Sequence, residues 1–200
     1  PPPLVSAHLG GAPPATSRLG DNLPLAYNAS TRQRLVEHVE QLQTALGHQL
    51  LIENPPAYVR LADSDLHEAD FLHALCRRTG CGLLLDIGNL LISCHNCGGS
   101  PEDYLRRLPV AQIGEIHLAG YSQLPMASGA CLLVNEQASV ISDASWALYA
   151  ELLRRIGTRP VVVEWQRQLP SWLVLAAEVD CARALQYAPV MPECGAVVGP

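Results

Sequence analysis

Short apolar runs alternate with amphipathic stretches of helical period along the whole chain, and almost every apolar run closes on a side chain able to bind a metal or move a proton. Leu4 to His8, Leu50 to Glu53, Gly82 to Asp86, Ile113 to Leu118, Cys131 to Asn135 and Val161 to Trp165 read as six strands. Ser30 to Leu46, Glu68 to Arg78, Glu102 to Leu108, Asp143 to Ile156 and Ser171 to Leu185 read as helices. The first shows its apolar stripe at Leu35, Val39, Leu42 and Leu46, and Gly47, Gly80 and Gly157 stand where helices stop. Asp143 is placed to cap the fourth helix. Strict alternation predicts an α/β fold, a parallel sheet with helices packed outside it. The near-continuous leucine run of Gly82 to Asp86 suits a strand buried on both faces.

His8, Glu53, Asp86, His117, Asn135 and Glu164 lie at or near the carboxyl ends of the six strands. An open doubly wound sheet gathers polar groups at one crevice and carries a glycine-rich phosphate turn after its first strand. Gly10-Gly11 lacks the spaced glycines and the immediate helix of that turn. A TIM-type (β/α) barrel brings every strand end to one mouth, so the barrel is the better account. Imidazoles and carboxylates facing one mouth are costly to bury without a cation. Nitrogen and oxygen donors without thiolate suit iron, manganese or zinc better than magnesium or calcium, and the carboxylates could bridge more than one ion. His38, His48, His67 and His73 fall on helices or their flanks and read as ordinary residues.

Composition removes other functions. All 13 basic residues are arginine, so Schiff-base lysine, pyridoxal-phosphate and phosphate-loop chemistry are excluded. A net charge of −6 with no basic run argues against a nucleic-acid partner, and the apolar stretches are too short for a membrane span. The 7 cysteines are scattered through an α/β pattern, which points to a reducing, cytoplasmic setting. Cys94 and Cys97 form a lone CxxC, half of a zinc ribbon; two loop thiols is the simpler reading.

Four segments then occur in a telling order: Leu50-Leu51-Ile52-Glu53-Asn54-Pro55, Gly82-Leu83-Leu84-Leu85-Asp86-Ile87-Gly88-Asn89, Ser93-Cys94-His95-Asn96 and Gly114-Glu115-Ile116-His117-Leu118-Ala119-Gly120. Together they closely resemble the multinuclear non-heme iron-dependent oxidative enzymes, the TIM-barrel family that includes the methanobactin-biosynthesis oxidase. The resemblance runs from Val5-Ser6-Ala7-His8-Leu9 through Glu164-Trp165 to Leu169-Pro170. It implies a mouth that binds two or three iron ions, fewer here if donors are lost. It also implies dioxygen-dependent remodelling of cysteine in a ribosomally made precursor peptide, delivered by a small partner protein. Carried over by position, His8, Glu53, Asp86, Asn89, His117 and Glu164 are the metal ligands or their close neighbours. His95, Asn135, Gln137 and Tyr121 would support those ligands or face the substrate. Where the family reads Asp-Thr-His-Asp this chain has Asn135-Glu136-Gln137-Ala138; Gln166 and Tyr121 also depart from it. Such losses typically cost 10- to 100-fold in affinity each and would weaken one metal position.

Two alternatives follow: a relative that has lost turnover and serves as a binding scaffold, and a metal-dependent hydrolase or isomerase on the same barrel. Length sharpens the choice. A (β/α)₈ barrel needs about 250 residues, and this chain has 200 with six of eight β/α units visible, the first two missing by the resemblance. Residues 1–187 read as a partial barrel, and 188–200 as a frayed tail. Pro1-Pro2-Pro3 lead almost directly into a strand, so the chain reads as a piece of something longer, or as one whose gap is filled by a partner chain or a second copy in a homo-oligomer.

Overall fold

The computed structural model describes residues 2–11 and 23–187; the expected tail at 188–200 lies outside them. The elements run β1 (Ser6–His8), α1 (Ala29–Leu46), β2 (Leu51–Glu53), α2 (Glu68–Thr79), β3 (Gly82–Asp86), α3 (Ile87–Cys97), α4 (Pro101–Arg107), β4 (Ile113–Ala119), β5 (Ser122–Pro125), β6 (Cys131–Val134), α5 (Asp143–Ile156), β7 (Val161–Glu164) and α6 (Trp172–Tyr187). Strands β1, β2, β3, β4 and β7 form one five-stranded sheet in that order, and every pair in it is parallel.

Local chemistry sets the helix ends. The Asn28 side chain accepts from Thr31 N to start α1, and Gly47 stops it in the left-handed region at φ 64°. Ser142 caps α5, where Asp143 was expected; Asp143 sits instead in the first turn, where its charge suits the helix dipole. The buried residues of α1 are Thr31, Val36 and Val39, while Leu42 and Leu46, expected in the stripe, are largely exposed.

Two parts of the expected pattern are corrected. The run Cys131 to Asn135 is not a sixth strand of the parallel sheet: β6 pairs antiparallel with β5 in a separate two-stranded hairpin. A parallel crossover needs a dozen or more residues and usually a helix, whereas the segment between Ala119 and Cys131 turns back tightly through Gly129, at φ 83°. The described sheet therefore holds five of the six expected strands. A full helix, α3, also starts directly from the end of β3, where the sequence reading placed none.

The two faces of the sheet differ in character. Ile52, Leu83, Leu85, Ile113, Ile116 and Leu118 pack with Phe71, Leu72, Leu75, Tyr104 and Tyr149 of the helices in the main core. On the other face the register aligns His8 with Glu53 and Asp86 with His117. Glu53 aligns with Leu84, two residues before Asp86, and His117 with Val162, two residues before Glu164. The polar residues thus climb by two positions at alternate strand pairs, the stagger expected of strands tilted around a barrel axis.

Candidate metal centre

Register is what gives the cluster its shape. Between β3 and β4 the pairing passes from Leu83↔Ile113 to Leu84↔Glu115, so Gly114 is an extra residue on β4. Because side chains alternate faces, a one-residue shift moves all that follows to the opposite side. The bulge lets Ile113, Ile116 and Leu118 all point into the helical core while Glu115 and His117 face the mouth. Glycine fits there because an added Cβ would lie 3.0 Å from Leu51 Cδ2.

Asp86 ends β3 and caps α3, its Oδ1 accepting from Asn89 N at 2.8 Å. Its backbone is held on both sides by one side chain: Asn54 Nδ2 donates to Asp86 O at 2.9 Å, and Asp86 N donates to Asn54 Oδ1 at 2.8 Å. Asn89 Nδ2 in turn donates to Asn54 O at 3.1 Å. This triangle ties the end of β2 to the start of α3 and leaves Asp86 Oδ2 and Asn89 Oδ1 buried with no hydrogen-bond partner.

Ligand atoms of Glu53, Asp86 and His117 lie within 4.8 Å of one another. His117 Nδ1 is 3.1 Å from Glu164 Oε1 and 4.0 Å from Glu53 Oε1, and Nε2 is 3.9 Å from Glu115 Oε1. His8 Nε2 reaches Glu53 Oε2 at 3.2 Å from an exposed position at the rim. Burial, with the neighbouring carboxylates adding to it and His117 opposing it, pushes Glu53 up to about 7. Burial likewise pushes Asp86 up to about 7 against the hydrogen bond from Asn89. Burial works to lower His117, but Glu164, Glu53 and Asp86 outweigh it and raise the imidazole above its usual range. Its contact with His117 and the Gln137 amide hold Glu164 below its usual range despite burial. Two carboxyls driven toward the neutral form beside orphaned buried oxygens are the electrostatic signature of a site that wants a cation. Oxygen and nitrogen donors in this proportion suit a divalent transition metal.

The other expected residues take different positions. Gln137 joins the edge of the cluster, its Nε2 donating to Glu164 Oε2 at 2.9 Å. His95 Nε2 is 2.9 Å from Cys131 O and so meets the hairpin. The backbone N–H of Asn135 donates to the Tyr58 hydroxyl at 3.1 Å, and the Tyr121 hydroxyl accepts from Ser142 Oγ at 3.0 Å. Glu115 and Asn54 were not singled out from sequence. Glu115 was legible by strand period, two positions before His117, but Asn54 works through backbone contacts that no spacing announces.

Comparison with known proteins shows the family and the fold. Residues 1–187 match the model of a family described as RiPP precursor modification enzyme MbnB/TglH/ChrH. A UPF0276 protein of Paraburkholderia phytofirmans is 44% identical over 182 residues, which is 91% of this chain and 59% of that protein. One from Rhizobium meliloti is 40% identical, covering 92% of this chain and 60% of its own length. The chain thus spans about three fifths of the relatives it matches. Among solved structures, a xylose isomerase-like TIM barrel protein from Mycobacterium smegmatis, in complex with magnesium, superposes with a TM-score of 0.59 at 16% identity, covering 91% of this chain and 61% of that one. A xylose isomerase domain containing protein from Salmonella typhimurium gives 0.52 at 19% identity, covering 82% and 61%. At these identities the likeness shows the fold: α/β, resembling xylose isomerase-like TIM barrels.

Proposed function

This chain belongs to the MbnB/TglH/ChrH family of RiPP precursor modification enzymes, and on that premise we propose that its mouth holds iron and modifies cysteine in a ribosomally made precursor peptide with dioxygen, the peptide being brought by a small partner protein. The observation that carries this reading is the convergence of Glu53, Asp86 and His117 within 4.8 Å around buried, unpartnered carboxylate oxygen. These three residues would hold the principal ion, with His8, Asn89 and Glu164 beside it. Bound iron would supply the redox and dioxygen chemistry. The chain's own part is to hold the donors: Asn54 fixes the Asp86 backbone, Glu164 sets the charge on the His117 ring, and the exposed His8 marks the side from which a peptide can approach.

A second reading, a metal-binding scaffold without turnover, is favoured by one contact. The Gln137 amide occupies Glu164 Oε2, where an imidazole would supply a donor, so Glu164 has less to offer a second ion. Metal analysis of protein purified without oxygen and loaded with ferrous iron tests the proposal. We expect bound iron in the wild type, most of it lost in Glu53→Ala and His117→Ala and retained in His38→Ala, which changes an exposed residue of α1. Near-zero iron in the wild type would sink the oxidase reading. Iron without any oxidation of cysteine peptides, in the presence of a cognate partner, would leave the scaffold.

A further inference from the structure

The corner that delivers β3 to the mouth is built from Cys76-Arg77-Arg78-Thr79-Gly80-Cys81. Gly80 ends α2 in the left-handed region at φ 69°, and its N–H donates to Cys76 O at 2.9 Å. In a helix stop of this kind the side chain in the last turn and the one just after the glycine are brought together, usually as an apolar contact. Here both positions are cysteine. Their Sγ atoms lie 3.7 Å apart, and the residues are 1% and 0% exposed. Arg77, Arg78 and Gly80 around them are exposed, so the pair lies just under the surface layer. The Thr79 hydroxyl accepts from Cys81 N at 3.2 Å and donates to Leu75 O at 2.9 Å, holding the corner in place.

We propose that Cys76 and Cys81 are an oxidation-sensitive dithiol that closes to an intramolecular disulfide on exposure to a peroxide. Two S–H bonds break and one S–S bond forms. The two electrons and two protons pass to the peroxide O–O bond, so that hydrogen peroxide leaves as two water molecules. The sulfurs already touch and must close to about 2.05 Å. The hydrogen bond between the two sulfurs supports the step, since it holds the thiols in contact, so that whichever is oxidised first has its resolving partner beside it. Closure fastens the helix stop immediately ahead of the strand that ends at Asp86. It rests on the corner alone and stands whether or not the mouth binds iron.

The test uses the whole reduced protein under native conditions. It is treated with hydrogen peroxide, quenched, alkylated after unfolding and digested with trypsin. Arg77 and Arg78 lie between the two cysteines, so cleavage separates them and a disulfide appears as two linked peptides whose mass is their sum less two hydrogens; fragmentation of the linked species then assigns the bond to Cys81 rather than to Cys94 or Cys97, which lie on the same tryptic peptide. The expected result is this linked pair as the main disulfide product, removed by dithiothreitol. Recovery of Cys76 and Cys81 as separately alkylated peptides, or a predominance of any other pairing such as Cys94 with Cys97, would overturn the proposal.

Discussion

Gln137 adopts φ 47°, one of two non-glycine residues with positive φ among the described residues. Its carbonyl accepts from Gln166 N at 2.9 Å and its amide donates to Glu164, while Oε1 is buried without a partner. A left-handed backbone is uncommon for Gln and better tolerated by His, Asn or Asp. The position therefore favours the residue type that the family resemblance expects there. Gln137→His should fit the backbone and add an imidazole beside Glu164; iron counted per chain after anaerobic loading should rise above wild type, and an unchanged count would show that Gln137 does not limit the site. Away from the mouth, Glu68 illustrates how a buried group is legible only in three dimensions. It opens α2 by sequence, yet the fold buries it against Tyr104, whose hydroxyl donates to Oε1 at 2.7 Å. Burial pushes Glu68 up to about 7 despite hydrogen bonds from Tyr104 and Tyr27. An acid raised in the folded state stabilises it fully below the unfolded value, and that stability is lost as pH rises through the folded one. Glu68→Gln keeps an acceptor for Tyr104 and removes the charge. It should change stability little at pH 5 and raise it at pH 8 by on the order of 2 kcal/mol, read as a higher thermal midpoint.

The β5–β6 hairpin shows the same principle one level up. From sequence, Cys131 to Asn135 has the composition of a sheet strand, and periodicity alone cannot tell a parallel neighbour from an antiparallel one. What decides it is the short return through Gly129 and a side chain on another element. Asn96 at the end of α3 donates to Leu133 O at 2.9 Å and accepts from Leu133 N at 3.0 Å, serving β6 as a third strand would; it also donates to Ala57 O at 3.2 Å. The Ser93-Cys94-His95-Asn96 segment thus acts on the hairpin through His95 and Asn96, and on the loop after β2 through Ser93 Oγ, which accepts from Ala57 N at 2.9 Å. The strand ends of β1, β2, β3, β4 and β7 were legible because buried parallel strands force apolar runs that stop where polar groups begin. The bulge at Gly114 was not, since an extra residue leaves the apolar composition of β4 intact. Asn96→Ala strands the Leu133 amide and carbonyl without their partners, at a cost of about 1–3 kcal/mol. The thermal midpoint should fall, and hydrogen exchange should speed up most at Leu133 and its β5 neighbours. Protection at Leu133 equal to wild type would mean that β5 alone holds the hairpin.

At the scale of the whole molecule, the cluster joins the three central strands, because β2, β3 and β4 contribute Glu53, Asp86 and His117 in turn. The carboxyls of Glu53 and Asp86 are buried close together, so burial and their mutual charge oppose ionisation until a cation is present. Glu53 and Asp86 are both raised to about 7 by burial, so the metal-free protein loses their contribution as pH climbs from the ordinary carboxylate range through neutrality. A cation needs the same carboxylates ionised and binds more tightly over the same interval, since binding releases their protons. The two effects act in concert: the gain in stability on adding metal should be small at pH 5.5 and large at pH 8. Ligand present at 100 times its Kd stabilises by about 2.7 kcal/mol, which for a domain of this size is a rise in thermal midpoint of roughly 5–10 °C. Ferrous iron added anaerobically at pH 8 should produce a shift of that order, and a chelator should reverse it. Glu53→Ala should show none, while Glu68→Gln, whose raised carboxyl hydrogen-bonds Tyr104 on the helical side of the sheet, should keep it in full. A shift of equal size at both pH values would indicate that iron binds through groups other than Glu53 and Asp86, because those two cannot offer the same charge on both sides of neutrality.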